Sequence, residues 1–279
     1  MHSRLAVKIR DTRYEWMDME LGLAGRGALV LGAGGGLGGQ VALDLAAEGA
    51  RVAAVDRSPE ALAALTDRVK QRGGVVEPVV ADLFEVGTMG EVHQEVVNRV
   101  GPVEVLFNNS GGPRPAGALE VSEASWLELF QSMVLSIIRL TGQVVPSMRR
   151  NGWGRIITST SSGVVSPISG LAASNTLRSA LVGWSKTLAG EVAADGITAN
   201  VIVPGRIATD RVRELDRLRA ERASVPIEDV ERRSTAAIPA GRYGSVEEYS
   251  AAVLFLASGR ASFVNGAQLR VDGGMIASV

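Results

Sequence analysis

Between Leu171 and Lys186 the sequence reads LAASNTLRSALVGWSK, a helical pattern with Ser174, Asn175 and Arg178 near its start. Hydroxyls, an amide and a guanidinium so placed fit a catalytic helix, the floor of a cofactor site or only core packing. A second chemical signal lies upstream, in LVLGAGGGLGGQVALDLAAEGARVAAVD. Gly32, Gly36 and Gly38 follow a strand-like run and open a helical one, which aims backbone N–H groups and a helix N-terminus at a pyrophosphate. Gly34, Gly36 and Gly39 also fit the ordinary G-x-G-x-x-G spacing. Asp56 closes the next apolar run, about 20 residues on, where a carboxylate bonds ribose hydroxyls.

Later apolar runs end in polar groups of the same kind. Asp82 ends VVEPVVAD and can accept from an adenine amino group. Asn108, Asn109 and Gly111 lie in NNSGG, and Pro204, Gly205 and Thr209 in NVIVPGRIAT. Leu37, Arg57, Leu83 and Ile207 are their immediate neighbours and join them as candidate dinucleotide contacts.

These groups need a frame that brings strand ends together. From Gly27 onward, short Val- and Ile-rich runs alternate with amphipathic stretches: Leu37–Glu48, Pro59–Gln71, Gly90–Val100, Ser122–Arg150, Leu171–Ala194 and Ser245–Ala257. Strands apolar on both faces and separated by helices predict βαβ units. The result is a single doubly wound α/β domain with a seven-stranded, mostly parallel sheet and helices on both faces. Right-handed crossovers put the ligand crevice at the carboxyl ends of the strands, where every group named above falls. Residues 19–279 form that domain and residues 1–18 read as a loosely held extension without the apolar stretch of a signal peptide. Residues 206–243, rich in Arg, Asp and Glu, read as an irregular insertion covering a substrate site.

Composition narrows the partners. Twenty-nine basic residues against 30 acidic give a net charge of −1, so no field favours nucleic acid or anionic lipid. The absence of cysteine removes thiolate chemistry and disulfides and fits a cytoplasmic setting. With His2 and His93 the only histidines, no metal site is expected. No apolar run approaches membrane-spanning length.

In combination, G-x-x-x-G-x-G at Gly32, Gly36 and Gly38, Asp82, NNSG, PGRIAT and the late VDGG resemble the short-chain dehydrogenase/reductase family, its β-ketoacyl-ACP-reductase-like members above all. The resemblance spans Leu21 to Gly274 and implies a Rossmann fold, a nicotinamide cofactor and a homo-oligomer, a tetramer or a dimer. Asp56 argues for NAD over NADP by repelling a 2′-phosphate, although Arg57 beside it argues the other way. The family's chemistry rests on Asn, Ser and a Tyr-x-x-x-Lys pair. Matching those positions places its Ser at Ser161, its Tyr at Ser174, its Lys at Arg178 and its Asn at Met133. None of Tyr14, Tyr243 and Tyr249 has a lysine four residues later, so Tyr-x-x-x-Lys is absent from the chain.

Ser161, Ser174 and Arg178 are therefore the candidate catalytic residues, with Arg178 also a cofactor contact. A serine hydroxyl is a far weaker acid than a phenol, and an arginine holds its proton too firmly to relay it. Two readings follow from the sequence: an NAD(P)-dependent oxidoreductase with a variant site acting on a carbonyl, hydroxyl or enone, or a dinucleotide-binding homologue serving as sensor or partner subunit. Arg114, Arg178 and Arg206 are placed to converge above the nicotinamide, which would suit an anionic substrate.

Overall fold

The computed structural model describes residues 20–278, so the extension expected at residues 1–18 lies outside the described residues. Seven strands form one sheet: β1 (Gly27–Leu31), β2 (Arg51–Asp56), β3 (Val76–Val80), β4 (Val103–Asn108), β5 (Gly154–Ser159), β6 (Ile197–Pro204) and β7 (Gln268–Val271). Their order is β3-β2-β1-β4-β5-β6-β7. All six pairings are parallel, a stricter arrangement than the mostly parallel sheet expected. The order reverses direction between β1 and β4, and that switch point opens a crevice at the carboxyl ends.

Side chains leave β1 alternately to two cores. Ala28 and Val30 join one with α1 (Gly36–Ala47), α2 (Pro59–Gln71) and α9 (Val246–Ala257). Leu29 and Leu31 join the other with α3 (Met89–Val100), α5 (Ser136–Asn151) and α6 (Ala172–Val192). All five residues of β1 are buried, and each large apolar side chain so enclosed contributes about 1.5–3 kcal/mol. Both faces are covered, which is why the strands read as unbroken apolar runs.

The predicted helix at Ser122–Arg150 is interrupted. Ser122 caps α4 (Glu123–Phe130), accepting from the Ser125 N–H, and a π segment at Gln131–Leu135 then leads into α5. Taken together, residues 123–151 do reach membrane-like hydropathy (1.2 over 18 residues), contrary to the sequence expectation. Half of that window is buried against the protein's own core, which accounts for its apolar character.

Residues 206–243 are not irregular. They form α7 (Asp210–Ala223), capped by Thr209, and α8 (Ile227–Ala236). Helix α7 follows the end of β6 and lines the crevice, and α8 follows α7.

Candidate active site

Two adjoining cavities follow the carboxyl ends of the strands. The larger, about 540 Å³, runs from Gly32–Leu37 past Asn109–Gly112 to Ser159–Ser162, Ser174, Arg178, Pro204–Ile207 and the inner face of α7. The second, about 420 Å³, is lined by Asp56, Arg57, Asp82, Leu83, Arg114 and Met133 among others. Gly32, Asp56, Ser110, Gly111 and Gly112 line both, so the two form one continuous crevice.

The glycine end is built by close approach. A side chain at Gly38 would come within 2.2 Å of the Gly32 carbonyl oxygen, so glycine lets α1 dock against β1. Gly38 itself packs there and does not line either cavity. At Gly34 a Cβ would stand 2.7 Å from the Asp56 carboxyl carbon. The Gly34 N–H donates to Asp56 Oδ2 at 2.9 Å and the Ser58 N–H to Oδ1 at 3.1 Å, fixing the carboxylate at the cavity edge.

The two asparagines at the end of β4 part company. Asn109 lines the larger cavity and donates to the Gly32 carbonyl at 3.5 Å. Asn108, a candidate dinucleotide contact on sequence grounds, is fully buried and donates to Thr141 and Thr158 hydroxyls at 3.2 and 3.4 Å. It ties β4 to β5 and α5, and lines neither cavity. Asp82 lines the second cavity while accepting from the Phe84 N–H at 3.0 Å, so it also shapes its own turn. Pro204, Gly205, Ile207 and Thr209 form the far wall, Thr209 accepting from Val212 N–H to start α7.

The chemical end centres on α6. Arg178 is buried, and its guanidinium donates to three carbonyls: Ser159 at 3.2 Å, Ser110 at 3.0 Å and Gly111 at 3.3 Å. Burial pulls its pKa down to about 10; the nearby Tyr249 phenol opposes this and the Arg211 charge adds to it. Arg178 thus stays cationic at neutral pH. Ser161 accepts from the Gly163 N–H at 3.2 Å, and Ser174 is almost fully enclosed at the cavity wall. Asn175 holds the preceding loop in both directions. Its amide accepts from the Ile168 N–H at 3.3 Å and donates to the Ile168 carbonyl at 2.9 Å.

Sequence reasoning missed several lining residues. Arg211, Leu215 and Arg219 recur every four residues on one face of α7 and all line the larger cavity. That spacing was visible, but only once the segment is known to be helical. Of the three arginines expected to converge, Arg178 and Arg206 line the larger cavity, whereas Arg114 lines the second. Ser110 was overlooked too; it lines both cavities, and its buried hydroxyl has no partner among the described residues. Tyr249, buried in α9, donates to the Ser159 hydroxyl at 2.8 Å, and burial pushes its phenol pKa up.

The family model described as Enoyl-(Acyl carrier protein) reductase matches residues 32–276. The 3-oxoacyl-[acyl-carrier-protein] reductase FabG of Escherichia coli (strain K12) is 34% identical over 251 residues, 90% of this chain and 97% of that protein. The chain belongs to the short-chain dehydrogenase/reductase family. Solved structures of this family superpose closely. L-sorbose reductase from Gluconobacter frateurii, complexed with NADPH and L-sorbose, gives a TM-score of 0.88 at 29% identity, covering 94% of this chain and 100% of that one. YwfH, an NADPH-dependent reductase involved in bacilysin biosynthesis, gives 0.86 at 27% identity, covering 91% and 99%. This short-chain dehydrogenase/reductase is ketoacyl-reductase-like and falls among NAD(P)-dependent oxidoreductases.

Proposed function

We propose that the chain is an oxidoreductase that holds a nicotinamide dinucleotide in the continuous crevice and acts on the carbonyl, hydroxyl or conjugated enone of a small anionic molecule. The observation carrying this reading is the crevice itself: a glycine and carboxylate cradle at one end, Arg178 and Ser174 at the other, joined through Ser110 and Gly111. The residues fit such a group. The lack of a Cβ at Gly34 lets the Asp56 carboxylate close on its N–H at 2.9 Å, and Ser110, which lines both cavities, has a buried hydroxyl without a partner among the described residues.

When bound, the dinucleotide supplies or accepts a hydride. Gly32–Leu37 and Thr209 would hold its pyrophosphate; Asp56, Arg57, Asp82 and Leu83 the adenosine part; Arg178, Asn109 and Ile207 the nicotinamide end. The fixed Asp56 carboxylate favours NAD over NADP. Ser161 and Ser174 donate hydrogen bonds to the substrate oxygen, and Arg178 keeps a positive charge beneath it. None of the three delivers a proton readily at neutral pH, so water supplies it. A conjugated carbonyl suits this wall best, because negative charge developing on its oxygen is delocalised and need not be quenched in the same step. The chain then works as a cytoplasmic homo-oligomer.

Titration of the protein with NADH and NADPH, followed by 340 nm assays with ketones, enones and alcohols, tests this reading. Dinucleotide binding, turnover of an enone and its loss in Ser161→Ala support it. Binding without turnover of any panel member refutes it.

A further inference from the structure

One cluster in the larger cavity is unused by dinucleotide binding. Arg206, at the end of β6, and Arg219, on α7, both line the cavity and both face Asp216. Asp216 is fully buried on α7. One oxygen accepts from Arg206 Nη2, the other from the Tyr243 hydroxyl at 2.8 Å, and the Arg206 guanidinium stands 5.0 Å from the Tyr243 ring centre. Arg219 reaches that carboxylate only at 3.9 Å, and Arg206 Nε is buried with no acceptor among the described residues. Two cations thus share one anion, leaving one positive charge at the cavity wall.

The third arginine on this wall is occupied: Arg211 pairs with Glu214 at 2.9 Å and donates to the Pro113 carbonyl. Nor does Arg219 belong to the pyrophosphate end. Thr209, which packs against Gly36, precedes it by ten residues, about 15 Å of helix rise. Burial lowers the Arg219 pKa, and the Arg206 charge pushes the same way, as expected for cations lacking a full complement of anions.

We propose that Arg206 and Arg219, braced by Asp216 and Tyr243, form a subsite for the carboxylate of a keto or enone acid; the assignment rests on reading the larger cavity as the substrate site. A single net positive charge matches a monoanion, and a planar guanidinium matches the two oxygens of a carboxylate. Ile168, Leu171 and Leu215 line the same cavity and would take an apolar body.

The test is a calorimetric titration of NAD⁺-saturated protein with 4-oxo-4-phenylbutanoate, its methyl ester and inorganic phosphate. The acid should bind at least tenfold more tightly than the ester. Arg219→Gln, a change at a half-exposed position, should weaken the acid about tenfold while leaving the ester and NAD⁺ unaffected, and Arg219→Lys should recover part of the loss. Equal affinity for acid and ester, no binding of the acid to NAD⁺-loaded protein, or an unaffected Arg219→Gln variant would overturn the subsite. Displacement of the acid by an equal concentration of phosphate would overturn the carboxylate assignment. Failure to bind NAD⁺ would instead sink the dinucleotide reading, and the same acid and ester titrations of the free protein would still decide the subsite.

Discussion

Arg178→Met separates a site residue from a structural one. Burial takes Arg178 from the ordinary arginine value of 12.5 to about 10, which is worth about 3 kcal/mol against the charged form in the fold. Methionine removes that cost and keeps the length of the side chain. Against the gain stand three donated hydrogen bonds, but their acceptors, the carbonyls of Ser110, Gly111 and Ser159, belong to residues lining the cavity, where water can replace the guanidinium. The free protein should therefore melt at an unchanged or higher temperature, with a rise of up to about 10 °C at about 2–4 °C per kcal/mol. NADH should bind about 10- to 100-fold more weakly, the value of one charge-assisted hydrogen bond of about 1.5–3 kcal/mol. The sign with pH follows. A cation whose folded pKa is depressed destabilises the fold at a constant level below pH about 10, and that cost fades as pH rises toward 12.5. Differential scanning calorimetry and NADH titration on the same preparation decide the matter. A melting point more than about 5 °C lower with NADH affinity intact would show that Arg178 is only a brace.

Asp56→Ser should raise NADPH affinity about tenfold relative to NADH, since a carboxylate facing a 2′-phosphate costs about 1–2 kcal/mol at a partly solvated edge; paired titrations check this, and an unchanged ratio would remove Asp56 from cofactor choice. Glu248 is held down to about 2 by its bonds to Arg242 and the Ser245 N–H in the capping box that opens α9. Its contribution is fully present above pH 4.5 and lost as pH falls through about 2, so Glu248→Gln should melt below wild type at pH 6 and converge with it toward pH 2. Leu127 and Phe130 are exposed on α4, so light scattering should give two or four times 29.2 kDa, and Phe130→Asp should shift the population toward monomer.

The strands and the Gly32–Asp56 turn were legible because their signals are local: apolar runs, glycines and an acid at fixed short spacing. The helices over residues 206–243 were not, for a physical reason. On α7 only Asp216 and Ala220 are buried, and on α8 nothing is. A helix that turns a carboxylate inward presents no apolar stripe to read. Asn108 and Asn109 look equivalent in sequence, but Asn108 is the last residue of β4 and Asn109 lies beyond it, and only the packing of Thr141 and Thr158 shows that Asn108 turns inward. The bond from Tyr249 to Ser159 joins residues 90 apart, a pairing that no window along the chain reveals.

How α6 is held also bears on proton delivery. Asn175 fastens the loop before it, Arg178 forks to three carbonyls, and Tyr249 braces β5 through Ser159. None of these supports needs a phenol at position 174, so a serine there leaves the crevice standing. Among the described residues the larger cavity is lined by no histidine, lysine or tyrosine; the ionisable side chains there are Asp56, Asp210 and arginines, with Arg178 keeping its proton up to about pH 10. A general acid in this wall would need to titrate near the working pH to be effective. If water provides the proton instead, kcat for enone reduction should stay within about twofold from pH 6 to pH 9, where a positioned acid would give a sloping or bell-shaped profile. A clear inflection in that range, abolished by Tyr243→Phe, would mean that the segment over residues 206–243 carries the acid.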